Sequence, residues 1–335
     1  MKILLDPNKK YFKANLHCHS TYSDGKASVE TLKEEYKKRG YSIVAFTDHE
    51  FVVDNSRLDD DEFLTITSCE VAIKEFSNQS TLKNLHMRVC HLNFYALDQH
   101  NTLTPCYASV YNHFASEENK PLIRFDGEYE RRYSTDGINE IIRIANERGF
   151  IVSYNHPTWS LENATDYLGY ENLFAVEIYN HSCVHLGLLD DEHALDDFLR
   201  AGKKLFCTAA DDNHNGKGFQ APYTDSFGGW VWINAEKLDY ATIMNALQRG
   251  DFYASTGPQI FSLIQDGDVV KVQASPCRKI SLSTKSRRAQ TVFAEPNNTL
   301  DSAEFTLYPT DGYFRIRVVD EQGNTAYSQA YFLNE

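Results

Sequence analysis

No stretch of this sequence approaches the roughly 18 consecutive apolar residues that a membrane-spanning helix needs. The apolar run within residues 1–10 is too short for a signal peptide. Positive charge is also scarce: 33 Lys and Arg stand against 47 Asp and Glu, a formal net charge of −14. Gripping nucleic acid over a long footprint requires clustered cations, so stable nucleic-acid binding is not expected, although local basic patches remain. The seven cysteines are an odd number and lack the spacing of a disulfide framework. Cys18, Cys69 and Cys90 each neighbour a candidate ligand; on a strand they would face away from it as small buried apolar groups. The expectation is a reduced, soluble, cytoplasmic protein with no membrane partner. At 335 residues and 42% hydrophobic content, the chain can bury one large core and a smaller one.

What the sequence does contain is histidine at the ends of apolar runs. His17 and His19 lie two apart in a run reading as a strand (residues 11–18), so both rings share one face. Such a pair is half of a divalent-metal shell. Asp24 follows in a Ser-Asp-Gly turn that can fold its carboxylate back over the pair. A helix from Ser28 to Arg39, capped by Ser28 and ended by Gly40, leads to a short strand that stops at Asp48 and His49. Strand, helix and strand at this spacing form a βαβ unit and imply a parallel sheet, whose function collects at the carboxyl ends of its strands. Asp48 either orients a ligand or caps its loop. The next strand, from Phe63, ends at Glu70, read as a bridging carboxylate. Another, over residues 86–97, carries His91, with His86 on the opposite face and read as structural.

Residues 98–134 are polar, aromatic and irregular, an insertion at the mouth of the site. A helix from Thr135 to Gly149 leads to a strand and His156, with Trp159 just beyond as a wall for a substrate pocket. A strand from Leu173 ends at Asn180, with His181 and His185 as rim residues. A helix over residues 190–201 and a strand from Lys204 lead to Asp211, Asp212 and His214. After a glycine-rich loop come a strand from Gly229 and a helix over residues 240–249. Beyond Pro258, short strand-like runs alternate with turn signals, which implies a small β-sandwich. The expected domains are 1–258 and 259–335, the second an accessory domain of open role.

In this order, His17, His19, His49, Glu70, His91, His156, Asp212 and His214 resemble the ligand motifs of the PHP (polymerase and histidinol phosphatase) family over roughly residues 11–258. The segment from Phe252 to Pro258, followed by a β-domain, resembles its carbaryl-hydrolase-like branch. The resemblance implies an α/β fold, a distorted (β/α)7 TIM-like barrel. It implies two or three divalent ions, zinc, manganese or iron. His17, His19, Glu70 and Asp212 would hold the first; Glu70, His91 and His156 the second; Asp24, His49 and His214 the third. Asp24 stands where some members carry histidine, and a carboxylate favours Mn²⁺ or Fe²⁺ over Zn²⁺. Asp212, not Asp211, keeps the one-residue spacing to His214.

The catalytic candidates are Glu70, His49 and Asp24. Lys26, Arg124, Arg131 or Arg132 could clamp phosphate, and Lys26, Arg124, Trp159 and Asn180 are the candidate substrate contacts. The expected activity is hydrolysis of a small phosphorylated metabolite or nucleotide by a metal-bridging hydroxide. The same cluster could hydrolyse a carbamate, ester or amide, act as an exonuclease, or be a non-catalytic metal module. Oligomeric state is left open.

Overall fold

In the computed structural model, which describes residues 1–76, 79–80 and 83–333, the chain enters through β1 (Lys2–Leu5) and β2 (Lys10–Cys18). Helix α1 (Val29–Lys37) starts where Ser28 accepts the Thr31 N–H at 3.3 Å, and buries Val29, Leu32 and Tyr36 on one face. β3 (Ile43–Phe46) then runs parallel to β2, and β4 (Leu64–Lys74) parallel to β3, as the βαβ spacing predicts. β5 (Val89–Ala96) and β6 (Phe150–Tyr154) depart from an all-parallel sheet: β5 pairs antiparallel with both β4 and β6. Parallel neighbours need a crossover, and no helix separates β4 from β5 among the described residues.

Helix α2 (Thr135–Glu147), capped by Ser134, precedes β6. The short α3 (Ala164–Tyr167) leads to β7 (Ala175–Asn180), parallel to β6. Then α4 (His181–His185) and α5 (Glu192–Arg200) lead to β8 (Phe206–Ala210), parallel to β7. β9 (Trp230–Ala235) returns antiparallel along β2; α6 (Tyr240–Arg249) and β10 (Phe252–Ser255) follow. The insertion 98–134 holds two single 3₁₀ turns, Ser109–Tyr111 and Lys120–Leu122.

The expected closed ring of strand–helix units is not what this pairing gives. A strand has two edges, and those of β2 are taken by β3 and β9, so β8 shares no ladder with it. The sheet is open and its helices few. It nevertheless curls until the exits of β8 and β2 meet: Asp212 N–H donates to His17 O at 2.9 Å and His19 N–H to Asn213 O at 3.1 Å.

After Pro258 the chain adds β11 (Ile260–Asp266), β12 (Val269–Cys277), β13 (Lys279–Thr284), β14 (Ala289–Phe293), β15 (Leu300–Thr306), β16 (Tyr313–Val319), β17 (Thr325–Tyr327) and β18 (Tyr331–Phe332). β11, β12 and β15 form a four-stranded sheet with β1, while β14, β13, β16 and β17 continue the large sheet through β10. The two layers share one core, in which Leu5, Val272 and Phe305 of the first pack with Ile280, Leu282 and Phe314 of the second.

Candidate metal centre

Where β2 and β8 meet, three groups of nitrogen and oxygen ligands form, each with its ligand atoms within 4.8 Å of one another. The first is His17, His19, Glu70 and Asp212; the second Glu70, His91 and His156; the third His19, Asp24, His49 and His214. All nine residues expected from the sequence come together, and His19 joins the third group as well. Glu70 is 1% exposed and central. Its Oε1 lies 3.2 Å from His17 Nε2, 3.1 Å from His91 Nδ1 and 3.3 Å from His156 Nε2, and its Oε2 3.2 Å from His49 Nδ1. Asp212 Oδ1 is 3.1 Å from His17 Nε2 and 3.0 Å from His19 Nε2. Asp24 sits at the outer edge, 3.4 Å from His214 Nε2 and 3.8 Å from His49 Nε2.

Local backbone geometry explains how these side chains converge. The turn carrying Asp24 closes on Gly25, where a Cβ would meet the His19 carbonyl oxygen at 2.5 Å, so only glycine fits. Asp48 caps that turn, accepting the Ser20 and Ser23 N–H groups at 2.8 and 3.1 Å and both hydroxyls; of its two sequence readings, the cap is the one observed. Asp211 points away from the centre, its carboxylate accepting the N–H groups of Phe227, Gly228 and Gly229 and so holding the glycine-rich loop. His156 and Asp212 both take positive φ, 26° and 52°. Such left-handed residues store strain, and they cluster at functional sites.

A second ring of groups orients the first. Glu177, on β7, was not among the sequence candidates. Its Oε1 lies 3.0 Å from His17 Nδ1 and its Oε2 accepts the His156 N–H at 3.2 Å. Asn155 donates to Glu70 Oε1 at 2.8 Å. Asn180, expected to touch substrate, instead donates to Asp212 Oδ2 at 3.0 Å and to Glu177 Oε2 at 2.9 Å. The only sequence signal for Glu177 was a carboxylate inside an otherwise apolar strand.

The electrostatics favour a cation. Burial opposes ionisation of Glu70 and Asp212, but the surrounding histidines outweigh it and hold both well below the usual carboxylate range. Burial and the neighbouring His19 push His49 down to about 3, so its ring is neutral. His214 is also buried, yet Asp24 and Asp212 outweigh that and raise it to about 9. His19 Nδ1, His49 Nδ1 and His91 Nδ1 are buried without a hydrogen-bond partner among the described residues. Buried polar atoms rarely go unsatisfied. Three orphaned imidazole nitrogens around two ionised carboxylates are the donor set that a divalent metal ion satisfies, so the residues fit that group.

Aromatic side chains wall the centre. Phe114, from the insertion, lies 4.3 Å from the His49 ring, centre to centre, and Trp159 lies 5.1 Å from His91 and 5.0 Å from His156. Lys26 is exposed, its N–H donating to His214 O at 2.8 Å. Arg124 is exposed on the insertion. Two of the expected phosphate clamps are engaged elsewhere: Arg131 is buried against Glu50 at 2.7 Å and Arg132 pairs with Glu140 at 3.1 Å. His181 bonds the Tyr179 hydroxyl, and His185 and His86 are exposed; none joins the three groups.

The sequence matches the PHP domain over residues 15–176, a segment that holds seven of the nine clustered residues and stops short of Asp212 and His214. No curated protein matches it. Among solved structures, a two-domain protein from Bacteroides vulgatus containing a predicted PHP-like metal-dependent phosphoesterase is similar at 13% identity and a TM-score of 0.46, covering 98% of this chain and 96% of that one. A protein from Bifidobacterium adolescentis, designated a candidate metal-dependent phosphoesterase, is similar at 14% identity and a TM-score of 0.36, covering 65% and 94%. An amidohydrolase from Chromobacterium violaceum with bound sulfate is similar at 13% identity and a TM-score of 0.36, covering 61% and 88%.

Proposed function

This chain carries a PHP domain over residues 15–176, and we propose that it is a metal-dependent hydrolase of small phosphoesters. The observation that supports this reading is Glu70, a buried carboxylate shared by two ligand groups. The residues that would hold the metals are His17, His19, Glu70 and Asp212; Glu70, His91 and His156; and His19, Asp24, His49 and His214. Divalent ions bound there would supply Lewis acidity and a water acidified toward neutral pH. The curled open sheet is read as a distorted form of the family's barrel. Zinc, manganese and iron all suit the donors, and a site built partly on Asp24 leans toward the harder ions.

The protein's own groups have separable tasks. Glu177 accepts from His17 Nδ1, which fixes the tautomer and turns Nε2 toward Glu70 and Asp212. Asn155 and Asn180 hold the two carboxylates in place before any substrate arrives. Phe114 covers the His49 ring and Trp159 the His91 and His156 rings, and the two form walls between which a substrate body would lie. Lys26, at the rim beside His214, and Arg124, exposed on the insertion, are the expected cations left to meet a phosphate. The substrate is read as a small molecule in a reducing, cytoplasmic setting, in keeping with seven unpaired cysteines, all buried. Residues 1–258 and 259–335 are read as catalytic and accessory parts.

The test is phosphate release from a panel of nucleotides, sugar phosphates and inositol phosphates by Mn²⁺-loaded protein, with Glu70→Ala as control. Expected is metal-dependent release from a few members, lost by at least about a hundredfold in the variant. Release at wild-type levels by Glu70→Ala would sink the reading. Silence across the panel with metal bound would move it to carbamate, ester or amide hydrolysis.

A further inference from the structure

His156 and Trp159 reach the metal centre from one loop, residues 156–162, which joins β6 to α3. Two of its residues, His156 and Leu161, take positive φ of 26° and 59°, a conformation that persists only where the surroundings impose it. Polar contacts supply that restraint. Within the loop, the Ser160 N–H donates to His156 O at 3.1 Å and the Glu162 N–H to Pro157 O at 3.2 Å. Ser160 Oγ lies 3.4 Å from His156 Nδ1, on the side of the ring away from Glu70. Near the start of the loop, Asp191 accepts the Thr158 N–H at 2.9 Å and its hydroxyl at 2.5 Å.

The far end is held by Glu162, which is only 7% exposed. Its Oε1 accepts the hydroxyls of Tyr133 and Tyr170 at 2.7 and 2.5 Å, and its Oε2 that of Tyr154 at 2.7 Å. The three come from separate parts of the chain. Tyr133 stands at the end of the insertion, Tyr154 ends β6, and Tyr170 follows α3. Tyr154 and Tyr170 belong to the large core, and Tyr133 packs against it. The carboxylate thus ties the loop to groups that packing has already fixed.

A buried carboxylate is a costly anchor. Burial raises the pKa of Glu162, although the three hydroxyls oppose this. An apolar side chain would fill the space without the desolvation penalty. What a fully satisfied polar network adds is one defined arrangement, since each donor has a single acceptor to reach. The loop fixed in this way carries His156, whose Nε2 lies 3.3 Å from Glu70 Oε1, and Trp159, whose ring lies against His91 and His156.

We propose that Glu162, held by Tyr133, Tyr154 and Tyr170, is a positioning residue for the second ligand group, setting the pose of His156 and Trp159 beside Glu70 and His91. It acts through the loop and touches neither metal nor substrate. This rests on the metal-dependent reading above.

The test is Co²⁺ titration of the metal-free protein, followed by tryptophan emission and by competition with a chelating dye, with no turnover required. Trp159 stands beside the second group, whereas Trp230 and Trp232 pack in a different cluster. The quench by bound Co²⁺ that Trp159→Phe abolishes therefore reports the second group. Glu162→Leu is expected to weaken the quenching step by at least about tenfold and to leave the other ions bound as before. Tyr170→Phe, which deletes one hydroxyl, should weaken it less. Glu162→Gln, which keeps an oxygen for Tyr133 and Tyr170, should recover most of the affinity. These two milder variants decide the matter should Glu162→Leu not fold. A lower thermal midpoint with the wild-type quenching affinity would make the cluster a structural anchor alone and overturn the proposal, as would an equal loss at every site. A wild type that binds no Co²⁺ would remove the metal-dependent reading itself, and the proposal with it.

Discussion

Glu177 makes no contact with Asp24, His49 or His214, yet it touches the backbone or side chain of two other ligand candidates, His17 and His156. Removing it leaves the ligands and loosens their aim. Glu177→Ala is expected to weaken divalent-metal affinity by about 10–100-fold, measured by competition with a chelating dye, while the folded state persists. The Glu50–Arg131 pair belongs to a different account. Both side chains are essentially unexposed, so Glu50→Gln or Arg131→Met alone strands a buried charge and should cost about 3–5 kcal/mol in denaturant unfolding. The double variant should cost less than either. Asp191 supplies a pH signature. Burial raises its pKa to about 6 even though the Thr158 N–H donates to it at 2.9 Å. Because the folded value lies above the unfolded one, its contribution is complete below pH about 4 and is lost as pH rises through about 6. The thermal midpoint of Asp191→Asn should therefore gain on the wild type between pH 4 and 6.5; a constant gap would refute this. The nine clustered residues were legible because ligands at strand ends interrupt apolar runs in a recurring way. Glu177 was not, since a single carboxylate within one strand has no spacing to reveal its partner 160 positions away. Nor could sequence tell that Asn180 serves Asp212, a contact made only by folding.

At the level of elements, the helices were the most readable. α1, α2, α5 and α6 carry apolar faces at helical spacing, with serine or aspartate caps on three of them. What ends α6 is a prediction in itself. Gly250 has φ of +75°, and a Cβ there would stand 2.3 Å from a ring carbon of Phe206. Gly250→Ala thus combines a left-handed backbone with a clash against β8, and should lower stability by about 1–3 kcal/mol in urea titration. Strand direction was less readable. β5 has the composition of any buried strand, and only the missing crossover makes it antiparallel. β14 is exposed over most of its length and has no apolar face to mark it as a strand. The insertion 98–134 was read as irregular, and its cause is visible: Arg131 donates to Cys106 O and Ala72 O, so polar staples, not an apolar stripe, fix it to β4.

For the whole molecule, the sheet of the metal centre does not stop at Pro258. It passes from β10 to β17 and on to β16, β13 and β14. Arg315 on β16 also reaches back to Asp196 of α5 at 2.5 Å. A chain ending at residue 258 would leave β10 as a bare edge and strip the cover from its neighbours, and open edges recruit other chains. It is expected to elute as aggregate in size-exclusion chromatography where the full chain elutes as a discrete species. The change of texture after Pro258 was plain in the sequence. That the strands beyond it would extend the same sheet was not, because pairing partners far apart in the chain leave no local trace.

β1 adds a matter of timing. Lys2 pairs with Gln265, a partner made 263 residues later. At about 5–20 residues per second on the ribosome, β1 waits roughly 13–50 s for the strand that receives it. Until then Leu4 and Leu5, buried in the finished protein, are free to engage whatever lies near the exit tunnel. Residues 2–5 are thus a place where chaperones can change the yield of native protein without touching its final structure.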